Sequence, residues 1–547
     1  MLARRIAPCR AFQSSIKSSL RRPLPRRRTF SSLPVGKAQS PSYTSALSGI
    51  TRSLEPLGPR IDINGDQITI LEGPVEFYET LKTKIRGAKR RIFLSTLYIG
   101  QAEHELVQCL RETLLANEEL QVSILTDYLR GTRESPNPSC ASLLASLVAE
   151  FPDRVDVRMY HTSNLVGFKE LVIPKRINEG WGLQHMKLYG FDDEVILSGA
   201  NLSNDYFTNR QDRYYVFSAE TVTQHFEQIH DTMCSLSFKL LPGEKNPGSY
   251  SLEWPEDNPC PSPLRNPKLF NTATTKIFTR FTEPPPLGAT APFKTSNTSI
   301  WPVFNLHHSF RTELPILGHL LVSPIPSGSS FVFTAGYFNP HPLVVSCLLS
   351  CAKGTPISKS AIPVGPDGQL ASPPPEDPSR KVSGTVITAH PHANGFFGSK
   401  GVSGMLPSAY TLLSQKFLRA VTKHVPGKVE LREWKRGTVG TPDGWTYHAK
   451  GLWLTVPASP DTPPPGPSVT IIGSSNYTTR SYLLDSEVGA AVLTTDEGLM
   501  KRLKAEQENL LKYAHNVESK DLEIVERAVS WRVKLSLYIV KLVGGEI

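Results

Sequence analysis

Apolar residues along the chain switch between two periods from about residue 66 onward. Short, dense apolar runs predict strands at 68–71, 92–98 and 122–126. Between such runs the apolar residues recur every four positions, as at Phe77, Leu81 and Ile85, which predicts amphipathic helices. Strands that alternate with helices of this length indicate an α/β fold, with a parallel or mixed sheet covered on both faces.

The same alternation returns after a proline-rich stretch, with predicted strands at 330–337, 386–388 and 429–431. The chain therefore divides into segments of different character. The expected segments are a presequence at 1–30, a linker at 31–58, a first half at 59–260, a connecting segment at 261–300, a second half at 301–515 and a C-terminal amphipathic helix at 516–547. That last helix is too charged to span a bilayer, so it is either a core or capping helix or an interfacial helix.

Net charge changes this picture only at the amino terminus. The chain of 547 residues carries +10, but residues 1–30 hold nine basic side chains and no acidic one. The remainder has 51 basic against 50 acidic residues, which argues against a general nucleic-acid binder. An arginine- and serine-rich segment without acids is typical of a mitochondrial presequence, and the alternative is a disordered basic arm.

Cysteine usage and hydropathy exclude two further classes. The seven cysteines are scattered, with no CxxC pair and no zinc-ligand spacing, which indicates a reducing compartment without a disulfide framework. The chain contains no uncharged apolar run long enough to cross a bilayer, so a membrane-spanning helix is not expected.

A polar pattern within the first half can carry chemistry. In Gln184–Tyr189, strand alternation would place His185, Lys187 and Tyr189 on one face and apolar residues on the other. Asn201 and then Asp212 follow this strand along the chain.

The second half repeats this pattern with His448, Lys450, Asn476 and Glu487. The asparagine precedes the acid by the same number of positions in both halves. The histidine and the asparagine lie further apart in the second half, and the excess equals the length of the proline-rich insertion at 456–467. A single His-x-Lys is common by chance, but two with the same downstream residues indicate an internal repeat.

These residue types suit phosphoryl chemistry. The two lysines and two asparagines can donate to phosphate oxygens and stabilise the charge of the transition state. One histidine can attack phosphorus while the other protonates the leaving oxygen. Asp212 and Glu487 can each accept a hydrogen bond from a ring nitrogen and so orient a histidine. The ammonium groups supply the positive charge, so neither a metal nor a cofactor is expected.

His185-x-Lys187-x4-Asp192, and His448-x-Lys450 with Gly473-Ser474-x-Asn476, resemble the paired HKD motifs of the phospholipase D superfamily. The runs at 94–100, 129–133, 196–203, 206–214 and 394–398 resemble one branch of it, the mitochondrial phosphatidylglycerophosphate synthases. The resemblance implies an α/β fold of two similar halves, each a mixed sheet flanked by helices, around one central active site.

The resemblance further implies that His185 attacks the phosphorus of CDP-diacylglycerol and that His448 protonates the departing CMP. Glycerol 3-phosphate would then accept the phosphatidyl group from the phosphohistidine, on the route to cardiolipin. Such an enzyme is expected at the matrix side of the mitochondrial inner membrane, in peripheral contact with it. Two departures stand out: Thr455 occupies the position of the second motif's aspartate, and Asn201 lies one residue early.

Two other functions remain open at this point: a mitochondrial phosphodiesterase that uses water, and an inactive lipid-binding scaffold. Further residues are weaker candidates for the site. Arg130 and Arg133 could clamp a second phosphate, Tyr98 and Tyr337 could line the site, and the glycine-rich loop 394–401 could approach phosphate or serve as a structural turn.

Overall fold

The structure is a computed structural model. It describes residues 43–533 except 136, 176, 245–247, 283–295, 307–309, 324, 358–380, 458–462, 525–526, 528 and 532. The predicted presequence at 1–30 lies outside the described residues, as does most of the predicted C-terminal helix.

Strands and helices are numbered in chain order. The strands are β1 (Ile61–Ile63), β2 (Ile68–Leu71), β3 (Arg91–Ser95), β4 (Gln121–Asp127), β5 (Val155–Tyr160), β6 (Leu188–Phe191), β7 (Glu194–Ser198), β8 (Arg210–Gln211), β9 (Tyr214–Phe217), β10 (Phe238–Pro242), β11 (Tyr250–Glu253), β12 (Thr298–Leu306), β13 (Phe310–Arg311), β14 (Ser330–Ala335), β15 (Ser383–Ala389), β16 (Val429–Trp434), β17 (Thr446–Tyr447), β18 (Lys450–Thr455), β19 (Val469–Gly473), β20 (Ser486–Thr494) and β21 (Ala514–Asn516). The helices are α1 (Tyr43–Leu54), α2 (Pro74–Gly87), α3 (His104–Ala116), α4 (Tyr128–Gly131), α5 (Cys140–Glu150), α6 (Phe168–Val172), α7 (Asn204–Thr208), α8 (Glu220–Cys234), α9 (Pro267–Thr279), α10 (Glu313–Val322), α11 (Pro342–Lys353), α12 (Leu406–His424), α13 (Thr479–Leu483), α14 (Glu497–Leu511) and α15 (Ser519–Leu522).

The first half forms a nine-stranded sheet in the order β11-β10-β5-β4-β3-β6-β7-β9-β2. Strands β3, β4 and β5 run parallel, and the others pair antiparallel. The predicted helix face of Phe77, Leu81 and Ile85 is buried, because α2 packs against one side of this sheet. Helix α8 buries Val222 and Phe226 in a separate apolar cluster. Both observations confirm the predicted mixed sheet with helices packed on it.

The second half forms a sheet in the order β1-β12-β20-β19-β18-β14-β15-β16-β21. Its strands β14, β15 and β16 run parallel, as β3, β4 and β5 do in the first half. Its strands β19 and β20 are buried along their whole length. The α/β class with two similar mixed sheets is therefore confirmed.

The predicted segment boundaries need correction at the amino-terminal side. Strand β1 pairs with β12 of the second half, although the sequence analysis starts the first half at residue 59. The expected linker at 31–58 contains α1, whose Leu47, Ile50 and Leu54 are buried in the core of the second half. Their spacing of three and four residues forms one helical face, which the serine-rich composition obscures.

The expected connecting segment at 261–300 also contains regular structure. Helix α9 buries Phe270 and Phe278, and β12 begins at Thr298. Within the expected C-terminal helix, the described residues comprise the end of β21, the single turn of α15 and helical positions at Trp531 and Val533, and the remainder lies outside the described residues. No helix in the described part of the chain has the length and apolar character needed to cross a membrane.

The two halves share one apolar core. A single cluster contains Leu197 and Tyr215 of the first half together with Trp453, Ile472 and Val492 of the second. The short strands β8 and β17 pair in parallel across the same boundary. Each half is therefore completed by the other.

Arg213 is a buried cation that crosses this boundary. Its guanidinium donates to the Glu506 carboxylate at 2.8 Å and to the carbonyl oxygen of Ile471 at 2.7 Å. It also stacks on Trp453, 3.9 Å from the ring centroid. A guanidinium removed from water needs this full set of acceptors.

We expect Arg213→Ala to lower the free energy of unfolding by about 3–5 kcal/mol, because it leaves buried Glu506 without its cation. The midpoints of thermal and denaturant unfolding measure this loss. Arg90→Ala is the matched control, since Arg90 pairs with Asp193 in an exposed position and its removal should change little. A loss for Arg213→Ala no larger than that of the control would contradict the bridging role.

Candidate active site

A cavity of about 560 Å³ lies where the two halves meet. His185 and Asn201 line it from the first half, and His448 and Asn476 line it from the second. The sequence analysis expects these four residues at one site, and the structure brings all of them to this cavity.

Backbone pairing between the halves positions each histidine. The N–H of His185 donates to the carbonyl oxygen of Ser486 at 2.9 Å, and the N–H of Ser486 donates to the carbonyl oxygen of Leu183 at 2.8 Å. On the other side, the N–H of His448 donates to the carbonyl oxygen of Gln211 at 2.9 Å, which continues the pairing of β17 with β8. Each histidine therefore lies beside the acid-bearing strand of the opposite half.

The acid partners are exchanged between the halves. Nδ1 of His185 lies 3.0 Å from both carboxylate oxygens of Glu487, and Nδ1 of His448 lies 2.6 Å from Oδ2 of Asp212. Both acids are buried. An Nδ1–H that donates to a carboxylate leaves the lone pair on Nε2, the tautomer that a nucleophile or a base requires.

The pKa values of the two acids are shifted in opposite directions. Burial raises the pKa of Glu487 to about 7. Burial also acts on Asp212, but Lys450 and the hydrogen bond from His448 outweigh it, so the pKa of Asp212 falls below its ordinary value. Asp212 is therefore ionised at neutral pH, whereas Glu487 is near its titration midpoint. Burial lowers the pKa of both histidines well below the ordinary value, and the nearby lysines lower it further.

Lys187 and Lys450 are buried next to the histidines. Nζ of Lys187 donates to the carbonyl oxygen of His185 at 2.7 Å, and Nζ of Lys450 donates to Oδ2 of Asp212 at 3.1 Å. Burial lowers the pKa of both ammonium groups, while the neighbouring acids partly oppose it. A phosphate in the cavity would supply the counter-charge that these buried amines need.

The two asparagines hold side-chain oxygens that accept no hydrogen bond from the described residues. Both oxygens, Oδ1 of Asn201 and Oδ1 of Asn476, are buried. Nδ2 of Asn201 donates to the hydroxyl of Tyr206 at 3.2 Å. A buried amide atom without a partner costs stability unless a ligand satisfies it. Because a flip exchanges the amide oxygen and nitrogen, either asparagine can turn a donor toward phosphate.

Asp192 is the aspartate of the first HKD-like motif, so the resemblance predicts it among the catalytic residues, but the structure places it away from the cavity. It lies in the turn between β6 and β7 and is not part of the cavity wall. Its carboxylate accepts hydrogen bonds from the backbone N–H groups of Lys89, Arg90 and Arg91 at 2.8–3.0 Å. Asp192 is therefore a structural residue that ties this turn to the start of β3.

The weaker candidates from the sequence do reach the cavity. Arg130, Arg133, Tyr98 and Tyr337 all line it, and the loop 394–401 contributes three residues to the wall. Arg130 pairs with Glu134 at 2.9 Å and lies over the ring of Tyr98. Arg133 pairs with Glu179, which also lines the cavity.

One group of side chains could hold a metal ion. His185, Asp485 and Glu487 offer ligand atoms within 4.8 Å of one another. Each already has a partner, because Glu487 bonds to His185 and Asp485 pairs with Arg480 at 2.9 Å.

No protein-family model matches the chain. A Saccharomyces cerevisiae relative named CDP-diacylglycerol–glycerol-3-phosphate 3-phosphatidyltransferase is 41% identical over 528 residues, which cover 94% of this chain and 96% of the relative. The Schizosaccharomyces pombe protein of that name is 36% identical and covers 85% and 93% of the two chains. The human protein, named as mitochondrial, is 30% identical and covers 93% and 88%. The chain belongs to the CDP-diacylglycerol–glycerol-3-phosphate 3-phosphatidyltransferase family.

A solved structure supports the fold of this phosphatidyltransferase family member. The crystal structure of phosphatidylserine synthase from Haemophilus influenzae matches with a TM-score of 0.64 at 19% identity, covering 91% of this chain and 97% of that one. At this identity the likeness concerns the fold alone. It confirms the expected α/β fold of two similar halves, each a mixed sheet flanked by helices.

Sequence reasoning assigned no role to several residues that line the cavity of this phosphatidyltransferase family member. They are Tyr206, Arg210, Tyr410, Arg480 and Asp485. A signal existed for two of them, since Arg210 and Asp485 each lie two residues before the acid of their half. Alternate residues of an extended chain share a face, so both could have been predicted at the site.

We expect Glu487→Gln to raise the thermal stability of the protein more at about pH 8 than at about pH 5. A buried carboxylate with a raised pKa costs stability above its folded pKa of about 7, and the cost disappears below about 4.5, where both states are protonated. The cost at pH 8 is about 3 kcal/mol. Differential scanning calorimetry at the two pH values measures the change in melting temperature that the substitution causes. Equal changes at both pH values would contradict the prediction.

Asp212→Asn is the matched control of opposite sign. Its lowered pKa contributes stability that is present above the ordinary aspartate range and is lost as the pH falls through the folded pKa. Asp212→Asn should therefore lower thermal stability at neutral pH, and this loss should shrink in acid.

Proposed function

We propose that this protein transfers the phosphatidyl group of CDP-diacylglycerol to glycerol 3-phosphate and so forms phosphatidylglycerophosphate and CMP. The observation that carries the proposal is the exchanged pairing at one cavity: His185 with Glu487, and His448 with Asp212. The relatives at 30–41% identity all carry the name of this reaction. A lipid phosphodiesterase or an inactive scaffold is the alternative that the experiments below separate from it.

In the first step, Nε2 of His185 attacks the phosphatidyl phosphorus. The phosphorus–oxygen bond to CMP breaks, and His448 gives its proton to the departing oxygen. In the second step, the primary hydroxyl of glycerol 3-phosphate gives its proton to His448 and attacks phosphorus. The phosphorus–nitrogen bond then breaks and frees His185.

The different acids support this division of work between the histidines. Ionised Asp212 is the better counter-charge for an imidazolium, which suits His448 as the residue that carries a proton between the steps. Glu487 titrates near neutrality and holds His185 as a neutral imidazole, which suits a nucleophile. In addition, Nε2 of His185 has no hydrogen-bond partner among the described residues, whereas Nε2 of His448 lies 3.4 Å from the hydroxyl of Tyr206.

Charge stabilisation falls to the lysines and asparagines of the repeat. Lys187 and Lys450 are the buried cations beside the reacting phosphate, and Asn201 and Asn476 supply neutral donors. Donors fixed in a buried site act without the reorganisation that water would need.

Arg130 and Arg133 are proposed to bind the second phosphate of glycerol 3-phosphate. Both line the cavity, and each is held by an acid, Glu134 or Glu179, that the phosphate can replace. Arginine presents paired donors that match phosphate oxygens.

We place the enzyme in the mitochondrion, at the matrix side of the inner membrane, in peripheral contact with it and on the route to cardiolipin. The predicted presequence and the mitochondrial names of the vertebrate relatives support this location. The lipid substrate supports the contact with the membrane.

With CDP-diacylglycerol as substrate, the purified protein should release CMP continuously only when glycerol 3-phosphate is present. A transferase discharges its phosphohistidine to that acceptor, whereas a phosphodiesterase uses water. Chromatographic measurement of CMP with and without the acceptor decides between them. Steady release in water alone would exclude the transferase, and no release under either condition would indicate the scaffold.

Alanine variants of the two histidines should stop at different steps of the reaction. His448→Ala should still release about one equivalent of CMP, because a phosphate oxygen with a second pKa near 6 leaves without much help. It should then stop with an acid-labile phosphatidyl group on His185, since no base activates glycerol 3-phosphate. His185→Ala should show neither a burst of CMP nor an adduct. Steady-state turnover should fall by at least about 10³-fold in both histidine variants.

Intact-protein mass spectrometry measures the adduct, and rapid quenching measures the burst. His104→Ala is a matched control, because His104 is an exposed histidine at the start of α3 and should keep full turnover. An adduct that forms in His185→Ala would contradict the assignment of His185 as the nucleophile.

A further inference from the structure

Residues 167–175 and 177, here called the rim segment, expose apolar side chains beside the cavity. Phe168, Leu171, Val172 and Ile177 are 78%, 85%, 53% and 49% exposed. Ten large apolar side chains are exposed in the described part of the chain, and four of them lie in this one short segment. Such a concentration marks an interaction surface, whereas single exposed apolar residues are ordinary.

The rim segment combines this apolar face with positive charge. Phe168, Leu171 and Val172 are spaced as i, i+3 and i+4 in α6, so they share one helical face, and that face is exposed to solvent. Two exposed lysines in the same segment, Lys169 and Lys175, outnumber its one acid among the described residues, Glu170, which is also exposed. An apolar face with flanking lysines complements the interface of a bilayer that carries anionic lipids.

The rim segment is continuous with the wall of the active-site cavity. Ile177 lines that cavity. From the second half, the loop 394–401 lines it through Phe396 and Ser399, while its Phe397 and Lys400 are exposed. Apolar and basic side chains therefore border the cavity from both halves.

We propose that the rim segment inserts into the interfacial region of a membrane that bears anionic lipids and presents the cavity to that membrane. The proposal rests on the proposed function, because a diacyl substrate can enter a cavity held at the bilayer without exposing its acyl chains to water. Segment 394–401 is the second contact.

An environment-sensitive label tests the insertion without any need for turnover. The six cysteines among the described residues are buried, so a thiol-reactive bimane on Leu171→Cys reports on the rim segment. Vesicles of phosphatidylcholine and phosphatidylglycerol at roughly four to one should shift its emission to the blue. The label on Leu115→Cys, which replaces a side chain that is 63% exposed on α3, should not shift. Cys9 is present in both variants, so any label on it contributes equally to both measurements.

Activity gives the second test. The double variant Phe168→Ser with Leu171→Ser should lose at least about tenfold in rate on CDP-diacylglycerol in these vesicles, and keep its rate on the same lipid in detergent micelles. Leu115→Ser should keep both rates. Equal loss in vesicles and micelles would overturn the proposal.

Two further results would also overturn it: an unshifted label at residue 171, or light scattering that shows a dimer which the double variant dissociates. The dimer would make a second copy of the chain the occupant of this surface. Because the label needs no reaction, a shifted label in a protein that lacks transferase activity would refute the proposed function and leave the membrane contact standing.

Discussion

Two buried hydrogen bonds that cross between the halves, His185 to Glu487 and His448 to Asp212, are the constraint on which the site depends. Neither half contains a histidine together with the acid that orients it, so the site exists only when the halves are docked. Backbone hydrogen bonds from His185 to Ser486 and from His448 to Gln211 fix the register in which the two halves dock.

Small residues make room for the charges that cross this boundary. A Cβ at Gly199 would overlap Nζ of Lys450 and the carboxylate of Asp212. Gly451 has a φ of 153°, which disfavours other residues, and a Cβ there would overlap the guanidinium of Arg213. The lysine that serves the phosphate and the arginine that joins the halves therefore occupy space that two glycines leave open.

The sequence predicts the site better than it predicts the chain path around it. The repeated spacing from Asn201 to Asp212 and from Asn476 to Glu487 is local, and both acids are found beside a histidine of the cavity. Which acid serves which histidine depends on the packing of whole halves, and no local pattern encodes that. Strand β1 pairs with β12, which is far from it in the chain. No local sequence pattern therefore predicts that β1 belongs to the sheet of the second half.

The unmatched position of the second motif has a physical explanation in the connections between strands. In the first half, Asp192 has a positive φ of 51° in the tight turn between β6 and β7, where its carboxylate satisfies three backbone N–H groups. In the second half, the corresponding strands β18 and β19 are joined by the long proline-rich insertion that follows Thr455. The described residues of this connection, 456–457 and 463–468, form no tight turn that an aspartate would stabilise. Thr455 instead pairs with Ser330 in the sheet. Its departure from the motif therefore concerns the strand connection and leaves His448 in the cavity wall, with Nζ of Lys450 lying 2.6 Å from Nδ1 of His448.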